Sequence, residues 1–262
     1  MDIFDKVPAM VMAIKSALQS LGVAAINALT PPRCALSGEP VAFHRGLSGP
    51  CWAQLQFIDA PYCARCGVAF SIDYGDGMLC PACIAQPPDF DRARAAIVYN
   101  DAGHRLVVGF KHTDRTENAD MFGAWMARAG RDLLTPSTIL APAPLHRTRL
   151  WTRRYNQSAL LAQSIAKQTG ALFQPDLIRR VRATPPQKEL TAKARVRNVA
   201  GAFRVPEQNK AKLRGAHIVL VDDVLTTGAT LSACARALKR AGADVVDALV
   251  LARVVKGAVG AI

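Results

Sequence analysis

No stretch of this 262-residue chain approaches the ~20 consecutive apolar residues that a membrane-spanning helix needs. The first six residues, MDIFDK, carry two acids where a secretory signal peptide needs positive charge, and no clear cleavage site follows them. Low-complexity tracts and internal repeats are also not apparent in the sequence. These absences predict a cytoplasmic protein without a membrane span. In that compartment the seven cysteines are expected to be metal ligands or free thiols rather than disulfides.

Acidic residues are scarce in one long segment of the chain. Residues 144–214 hold 16 Lys and Arg against 3 Asp and Glu, whereas the rest of the chain holds 17 of each. The whole formal charge of +13 therefore lies in this segment. A surface of this kind attracts polyanions, of which nucleic acid and pyrophosphate are the leading candidates. A solvated basic face without a partner is the alternative.

Three regions of the chain differ in composition. Residues 1–30 place apolar side chains at roughly helical spacing and are followed by two prolines, which predicts an amphipathic N-terminal helix. Residues 31–90 are rich in Cys, Pro and Gly and predict a small loop-rich module. Residues 91–262 alternate between strand and helix patterns, which predicts an α/β domain with a mostly parallel sheet flanked by helices.

Individual elements of this α/β domain follow from the same patterns. The segment 177–201 has no periodicity and is predicted to be an irregular basic loop. The predicted strands are 95–99, 137–141, 217–221 and 245–255, and the predicted helices are 103–111, 117–134, 158–169 and 231–241.

Two CxxC pairs stand in the Cys-rich region: Cys63 with Cys66, and Cys80 with Cys83, separated by 13 residues. Two such knuckles can present four thiolates to one Zn²⁺ in a tetrahedron. The sequence therefore predicts a structural zinc site here, and four buried or free thiols are the alternative.

Two further cysteines stand upstream in similar but incomplete pairs. Cys34 is followed three residues later by Ser37, and Cys51 is preceded three residues earlier by Ser48. Serine is a poor zinc ligand, so a second full zinc site is not expected. The two cysteines are expected to be free thiols or to share a weak, partial site.

The segment IVLVDDVLTTGAT, residues 218–230, combines a buried strand with two adjacent carboxylates, Asp222 and Asp223, and a short turn before a helix. Such a turn points backbone N–H groups and a positive helix end at one spot, which suits a phosphate. The carboxylates lie where open α/β sheets hold ligands and can accept hydrogen bonds from a sugar diol. The motif therefore predicts a phosphorylated ribose, and an ordinary turn with solvated aspartates is the alternative. The turn residues are Thr226, Thr227, Gly228, Ala229 and Thr230.

This motif resembles the phosphoribosyl-pyrophosphate motif of type I phosphoribosyltransferases. Together with the Cys-rich module it resembles the ComF family, which joins a double zinc ribbon to a type I phosphoribosyltransferase-like domain. The resemblance covers about residues 33–255 and departs from the family pattern at Ser37 and Ser48. The further segments that carry it are 143–147, 154–157, 187–190, 197–198 and 201–203.

The resemblance implies a protein that binds phosphoribosyl pyrophosphate with Mg²⁺ and is linked to competence, the uptake of single-stranded DNA, or to nucleotide metabolism. It implies that Asp222 and Asp223 hold the ribose diol and that the turn 226–230 holds the 5′-phosphate. A mobile lid is expected over residues 179–197. No general base is apparent beyond a suggestion of His146, so the reaction and its acceptor stay open. The candidates for binding pyrophosphate or closing the lid are Lys111, Arg147, Arg154 and Arg197.

A second hypothesis is a non-catalytic protein that binds single-stranded nucleic acid and uses the ribose-phosphate pocket for regulation. Single-strand binding combines a basic groove with aromatic stacking platforms. Packing of both aromatic rings against the body of the protein is the alternative. The candidate residues for nucleic-acid contact are Arg149, Trp151, Arg153 and Tyr155.

Overall fold

The computed structural model of this chain describes residues 31–44, 46–112, 116–145, 155–183 and 191–255. The helix predicted within residues 1–30 lies outside these ranges. The chain divides into two compact units, Met1–Trp52 and Ala53–Ile262. This division falls after Trp52, whereas the composition of the chain changes near residues 30 and 90. Among the described residues, no helix is long and apolar enough to cross a membrane.

Five parallel strands form the main sheet in the order β1-β7-β6-β2-β3. A separate antiparallel pair consists of β4 and β5. The predicted α/β class with a mostly parallel sheet is therefore confirmed. The strands are β1 Ala93–Val98, β2 Ile139–Pro142, β3 Leu172–Phe173, β4 Arg179–Arg180, β5 Phe203–Arg204, β6 His217–Leu225 and β7 Val245–Arg253.

Helices connect the strands and flank the sheet. Two further turns, Thr116–Asn118 and Glu207–Leu213, are 3₁₀-helical. The α-helices are α1 Gly49–Trp52, α2 Pro81–Ala85, α3 Asp101–His112, α4 Ala119–Ala129, α5 Gln157–Thr169, α6 Ala192–Val199 and α7 Ala229–Arg240.

Strand β6 lies inside the sheet between β7 and β2, and helices α5 and α7 pack against it, which explains its apolar sequence. Ile218, Val219, Leu220 and Val221 are all completely buried. A parallel strand that is covered on both faces needs such a continuous apolar run rather than an alternating one. The same strand continues through the two acids to Leu225, so it carries the acid pair out of the core to the carboxyl end of the sheet.

The segment 177–201, which we predict to be irregular, contains a helix. Helix α6 begins after Thr191, whose hydroxyl accepts a hydrogen bond from the N–H of Ala194 at 3.3 Å. Val199 at its carboxyl end is buried. The prediction is wrong for this part because a short helix with one buried apolar anchor has too little periodicity to be recognised against its basic residues.

The Cys-rich region contains a structural repeat that corresponds to the two sets of similar cysteine pairs in the sequence. An isolated bridge joins Arg33 to Pro40, and another joins Tyr62 to Ala69, each spanning the same number of residues. Each bridge encloses a turn with a glycine at positive φ. The expectation of no internal repeat is therefore wrong at the level of structure. We call residues 33–52 the first ribbon and residues 62–85 the second ribbon.

Candidate functional site

The acid pair lies near the carboxyl end of β6. One side-chain oxygen of Asp222 accepts hydrogen bonds from the Ser158 hydroxyl and from the N–H of Asp223, both at 2.9 Å. Asp223 forms an ion pair with Lys111, with 2.8 Å between the carboxylate oxygen and Nζ. The side chains of this pair are largely buried, at 14% and 21% exposure. Elements far apart in sequence, α3 and α5, therefore hold the two acids in place.

The pKa of the Asp222 carboxyl group lies above its ordinary value. Desolvation in the cleft, followed by the adjacent charge of Asp223, raises the pKa of Asp222 to about 7. Hydrogen bonds from the Asp223 N–H and the Ser158 hydroxyl, together with the charge of Lys111, oppose this rise without cancelling it. Near neutral pH this carboxyl group therefore exists in both forms and can donate as well as accept a hydrogen bond.

The turn after β6 forms the second part of the site. Gly228 has φ +76° and caps α7, a conformation that side chains with a Cβ rarely adopt. Helix α7 is 12 residues long, and the backbone N–H groups of a helix's first turn point outward from its amino end. Together with the hydroxyl of Thr226, these groups form a cradle of donors with the positive end of a helix dipole behind it.

The acid pair and the cradle line one cavity of about 240 Å³. Of the candidate residues predicted from the sequence, Thr227 and Arg197 are exposed and are not among the described lining residues. The candidates brought together around the cavity are Lys111, Asp222, Asp223, Thr226, Gly228, Ala229 and Thr230.

Four residues at this site are not named as candidates in the sequence analysis, although Gln157 lies in the segment 154–157 and both Arg180 and Arg195 lie in the predicted lid. Gln157 and Ser158, at the start of α5, and Arg180, on β4, line the cavity. Arg195 of α6 donates to the Thr226 hydroxyl at 3.2 Å. A signal for the first two exists in the sequence, because Asn156 is a typical helix N-cap residue.

The Asn156 side chain fixes the start of α5 beside the cavity. It accepts the N–H of Ser158 at 3.1 Å and donates to the carbonyl of Ala143 at 3.2 Å. Ala143 follows β2 and lines the cavity. One cap residue therefore ties the loop after β2 to the helix that supports Asp222.

The remaining basic and aromatic candidates lie mostly beyond the described ranges. Tyr155 is described, and its hydroxyl donates to the carbonyl of Phe110 at 3.3 Å, which ties its ring to α3. The candidates outside the described residues are Arg147, Arg149, Trp151, Arg153 and Arg154, and so is His146.

The second ribbon gathers the four predicted zinc ligands. The Sγ atoms of Cys63, Cys66, Cys80 and Cys83 all lie within 4.8 Å of one another and are buried. Burial opposes ionisation of Cys63, but N–H groups of Cys66 and Cys80 donate to its sulfur and lower its pKa to about 7. Four clustered sulfurs with N–H donors suit Zn²⁺, which as a structural ion would cross-link the two knuckles.

The second ribbon packs against the sheet that carries the cavity. Arg253, the last residue of β7, donates to the sulfur of Cys66 at 3.0 Å. Gly67 allows a close approach to β1, since a Cβ there would collide with the carbonyl oxygen of Ala93. Beyond the ribbon, Phe90 packs beneath the cradle, where a Cβ at Gly228 would lie 3.4 Å from its ring.

These two sites define the class of protein: a phosphoribosyltransferase-type domain joined to a zinc ribbon. The double zinc ribbon domain family matches residues 25–84, and the phosphoribosyl transferase domain family matches residues 156–259. The chain belongs to the ComF family, because it contains both parts and is over 30% identical, across most of its length, to relatives that include a competence protein F.

Two such relatives illustrate the similarity. The DNA utilization protein YhgH of Salmonella typhimurium is 34% identical over 230 residues, which cover 85% of this chain and 97% of that protein. The competence protein F of Haemophilus influenzae is 31% identical over 214 residues, covering 79% of this chain and 90% of that protein. A local match of 39 residues, 15% of this chain and 22% of the relative, is 59% identical to an adenine phosphoribosyltransferase of Mycobacterium avium.

Proposed function

We propose that this protein binds phosphoribosyl pyrophosphate together with Mg²⁺ in the cavity at the carboxyl end of β6. One observation carries the proposal: the acid pair and four residues of the turn line the same cavity, namely Asp222, Asp223, Thr226, Gly228, Ala229 and Thr230. A sugar diol needs hydrogen-bond acceptors, and a 5′-phosphate needs N–H donors at a helix end. A phosphorylated ribose supplies both groups on one molecule.

The acid pair suits the two hydroxyl groups of ribose. Asp223, paired with Lys111 at 2.8 Å, accepts a hydrogen bond from one hydroxyl. Asp222, with its raised pKa of about 7, accepts from or donates to the other hydroxyl. Carboxylate oxygens are also ligands that Mg²⁺ accepts, although most of its coordination would come from pyrophosphate and water.

Cations around the cavity suit the pyrophosphate group. Lys111 and Arg180 both line the cavity, and Arg195 reaches its rim at Thr226. Departure of pyrophosphate breaks the bond from ribose C1 to oxygen and leaves the electron pair on the leaving oxygen. Cationic side chains stabilise that developing charge most effectively in a site that excludes water.

The acceptor of the sugar is left unassigned. Among the described residues that line the cavity, none is a histidine, and Asp222 and Asp223 are already engaged with the diol in this proposal. We therefore propose binding of the activated sugar as the function of the site. Its cellular setting is DNA handling or competence, on the basis of the names of the two full-length relatives.

Calorimetric titration of the zinc-loaded full chain with phosphoribosyl pyrophosphate and Mg²⁺ tests the proposal. Asp223→Asn should weaken binding by about 10- to 100-fold, because one charged hydrogen bond contributes about 1.5–3 kcal/mol. Asp244→Asn is the matched control, since Asp244 is exposed immediately before the opposite end of β7. Failure of the unaltered protein to bind the activated sugar would overturn the proposal.

A second candidate function is binding of single-stranded nucleic acid. It is favoured by the concentration of the entire net charge of +13 in residues 144–214. Fluorescence anisotropy with a labelled single-stranded oligonucleotide separates the two functions. For nucleic-acid binding, Arg153→Gln with Arg154→Gln should weaken affinity, Asp223→Asn should not, and affinity should fall steeply with salt. Affinity that is indifferent to salt would exclude this second function.

A further inference from the structure

The two ribbons share one backbone fold. In the first ribbon the N–H of Cys34 donates to the carbonyl of Glu39 at 2.7 Å, and that of Gly38 donates to Cys34 at 2.9 Å. In the second ribbon the corresponding hydrogen bonds, Cys63 to Val68 and Gly67 to Cys63, measure 2.8 and 2.9 Å. The two glycines have φ values of +76° and +65°. The turn that contains Cys34 in the first ribbon therefore has the same backbone conformation as the turn that contains Cys63 in the second.

The hydrogen bonds to sulfur also correspond. Cys34 Sγ accepts N–H groups from Ser37 at 3.5 Å and from Ser48 at 3.4 Å. Cys63 Sγ accepts N–H groups from Cys66 at 3.5 Å and from Cys80 at 3.2 Å. Ser37 therefore stands at the position of Cys66, and Ser48 stands at that of Cys80.

The third point of correspondence is the second knuckle. In the first ribbon, α1 begins directly after Ser48 and contains Cys51. In the second ribbon, α2 begins directly after Cys80 and contains Cys83. Both helical cysteines are buried. All four ligand positions of a zinc ribbon are thus present in the first ribbon, with two occupied by serine.

The donor atoms of the first ribbon do not fit Zn²⁺. A serine hydroxyl is neutral, whereas structural zinc sites use four thiolates or thiolates with histidines. The Ser37 hydroxyl donates to the exposed carboxylate of Glu39 at 3.2 Å. The Ser48 hydroxyl is buried with no hydrogen-bond partner among the described residues. Two thiols remain, which is half of the required set.

We infer that this protein holds one zinc ion, in the second ribbon. The first ribbon folds without zinc but keeps a metal-ready backbone, which means the backbone arrangement that places four ligand positions around a zinc ion. It follows that Ser37→Cys combined with Ser48→Cys creates a second zinc site without any change in the backbone. This inference does not depend on the proposed ligand of the β6 cavity. It departs from the two-site pattern that the double zinc ribbon family name suggests.

Zinc content per chain, measured by plasma mass spectrometry on the full-length protein after dialysis, tests the inference. The unaltered protein should hold one ion, and the Ser37→Cys, Ser48→Cys variant should hold two. A variant with Ser71→Cys and Ser137→Cys is the matched control, because it adds two thiols at exposed positions and should hold one ion. Cys63→Ser should lose the single ion while circular dichroism reports whether the rest stays folded.

Each result decides one part of the inference. Two ions in the unaltered protein would overturn the single-site assignment. One ion in the double variant, or a double variant that does not fold with zinc present, would overturn the metal-ready backbone. Charge-transfer absorption of bound Co²⁺ gives an independent readout, since it should double in the double variant and stay unchanged in the matched control.

Discussion

Two acids near opposite ends of strands β6 and β7 differ in their hydrogen-bond and ion-pair partners. At the amino end, Asp247 is completely buried and accepts hydrogen bonds from the Arg92 side chain at 2.7 Å and from its N–H at 2.9 Å. His217 lies 2.9 Å from the same carboxylate. At the carboxyl end, Asp222 has only a hydroxyl and one N–H as hydrogen-bond partners among the described contacts.

This difference separates an acid that holds the fold from an acid that is available to a ligand. A buried carboxylate with a cation and several donors is satisfied, and it connects strands that are distant in sequence. The neighbour of Asp222 is instead another acid, so its pKa rises to about 7. Perturbed carboxyl groups of this kind concentrate at functional sites.

Removal of the amino-end carboxylate should have the largest effect. Asp247→Asn breaks the ion pair with Arg92 in a buried setting and should lower the free energy of unfolding by about 3 kcal/mol. Urea denaturation measures this change. Glu207→Gln is the control, because its ion pair with Lys210, at 2.8 Å, joins two exposed side chains and should cost less than about 1 kcal/mol. Equal losses in both variants would contradict a structural role for the buried carboxylate of Asp247.

Removal of the carboxyl-end carboxylate should change stability in the opposite direction. The folded pKa of Asp222 is about 7, against an ordinary value of 3.8. Between these values the folded state keeps a proton that the unfolded state has lost, so the free energy of unfolding falls as pH rises and levels above about pH 7. The Asp222→Asn variant has no carboxyl group to titrate at this position, so its free energy of unfolding should not show this decrease. At pH 8 the variant should therefore be more stable than the unaltered protein by more than about 1 kcal/mol.

Urea denaturation at pH 5 and pH 8 checks this prediction. Asp244→Asn serves as the control because that exposed carboxylate should leave the pH dependence unchanged. A fall of the same size in Asp222→Asn and in the unaltered protein would show that another group causes it.

Replacement of Lys111 should have a smaller effect, confined to the carboxyl end. The charge of Lys111 lowers the pKa of Asp222, so Lys111→Met should move the Asp222 titration upward from about 7. Carboxyl carbon chemical shifts followed against pH measure that midpoint. Lys239→Met removes a comparable ion pair, at 2.7 Å from Asp91, and should leave the midpoint in place. A downward shift in Lys111→Met would contradict the described geometry.

Much of the site could be predicted because its parts are local in sequence. The strand, the acid pair and the glycine turn before α7 are consecutive residues, and the second ribbon consists of two short knuckles. The partners of these residues could not be predicted. Ser158 lies 64 residues from Asp222, and Arg92 lies 155 residues from Asp247. Only the packing of α5 and of the parallel strands brings these groups together.

The basic candidates illustrate the same limit within one helix. Arg197 was selected from the sequence, but Arg195 on the same helix reaches Thr226, and Arg197 is exposed. Because the segment was predicted to be irregular, its residues could not be assigned to a helix face. A side chain two positions away on a helix points in a different direction.

The sequence by itself determined the α/β class, the glycine turn between β6 and α7 and the cluster of four cysteines, because each depends on residue types at short spacing. The tertiary structure decided which cations accompany the acids, how strongly Asp222 holds its proton and that the second ribbon packs against the sheet of the cavity. These properties depend on distances and on exclusion of water between segments far apart in the chain. These distances and this exclusion of water are set only when the folded chain brings the distant segments together.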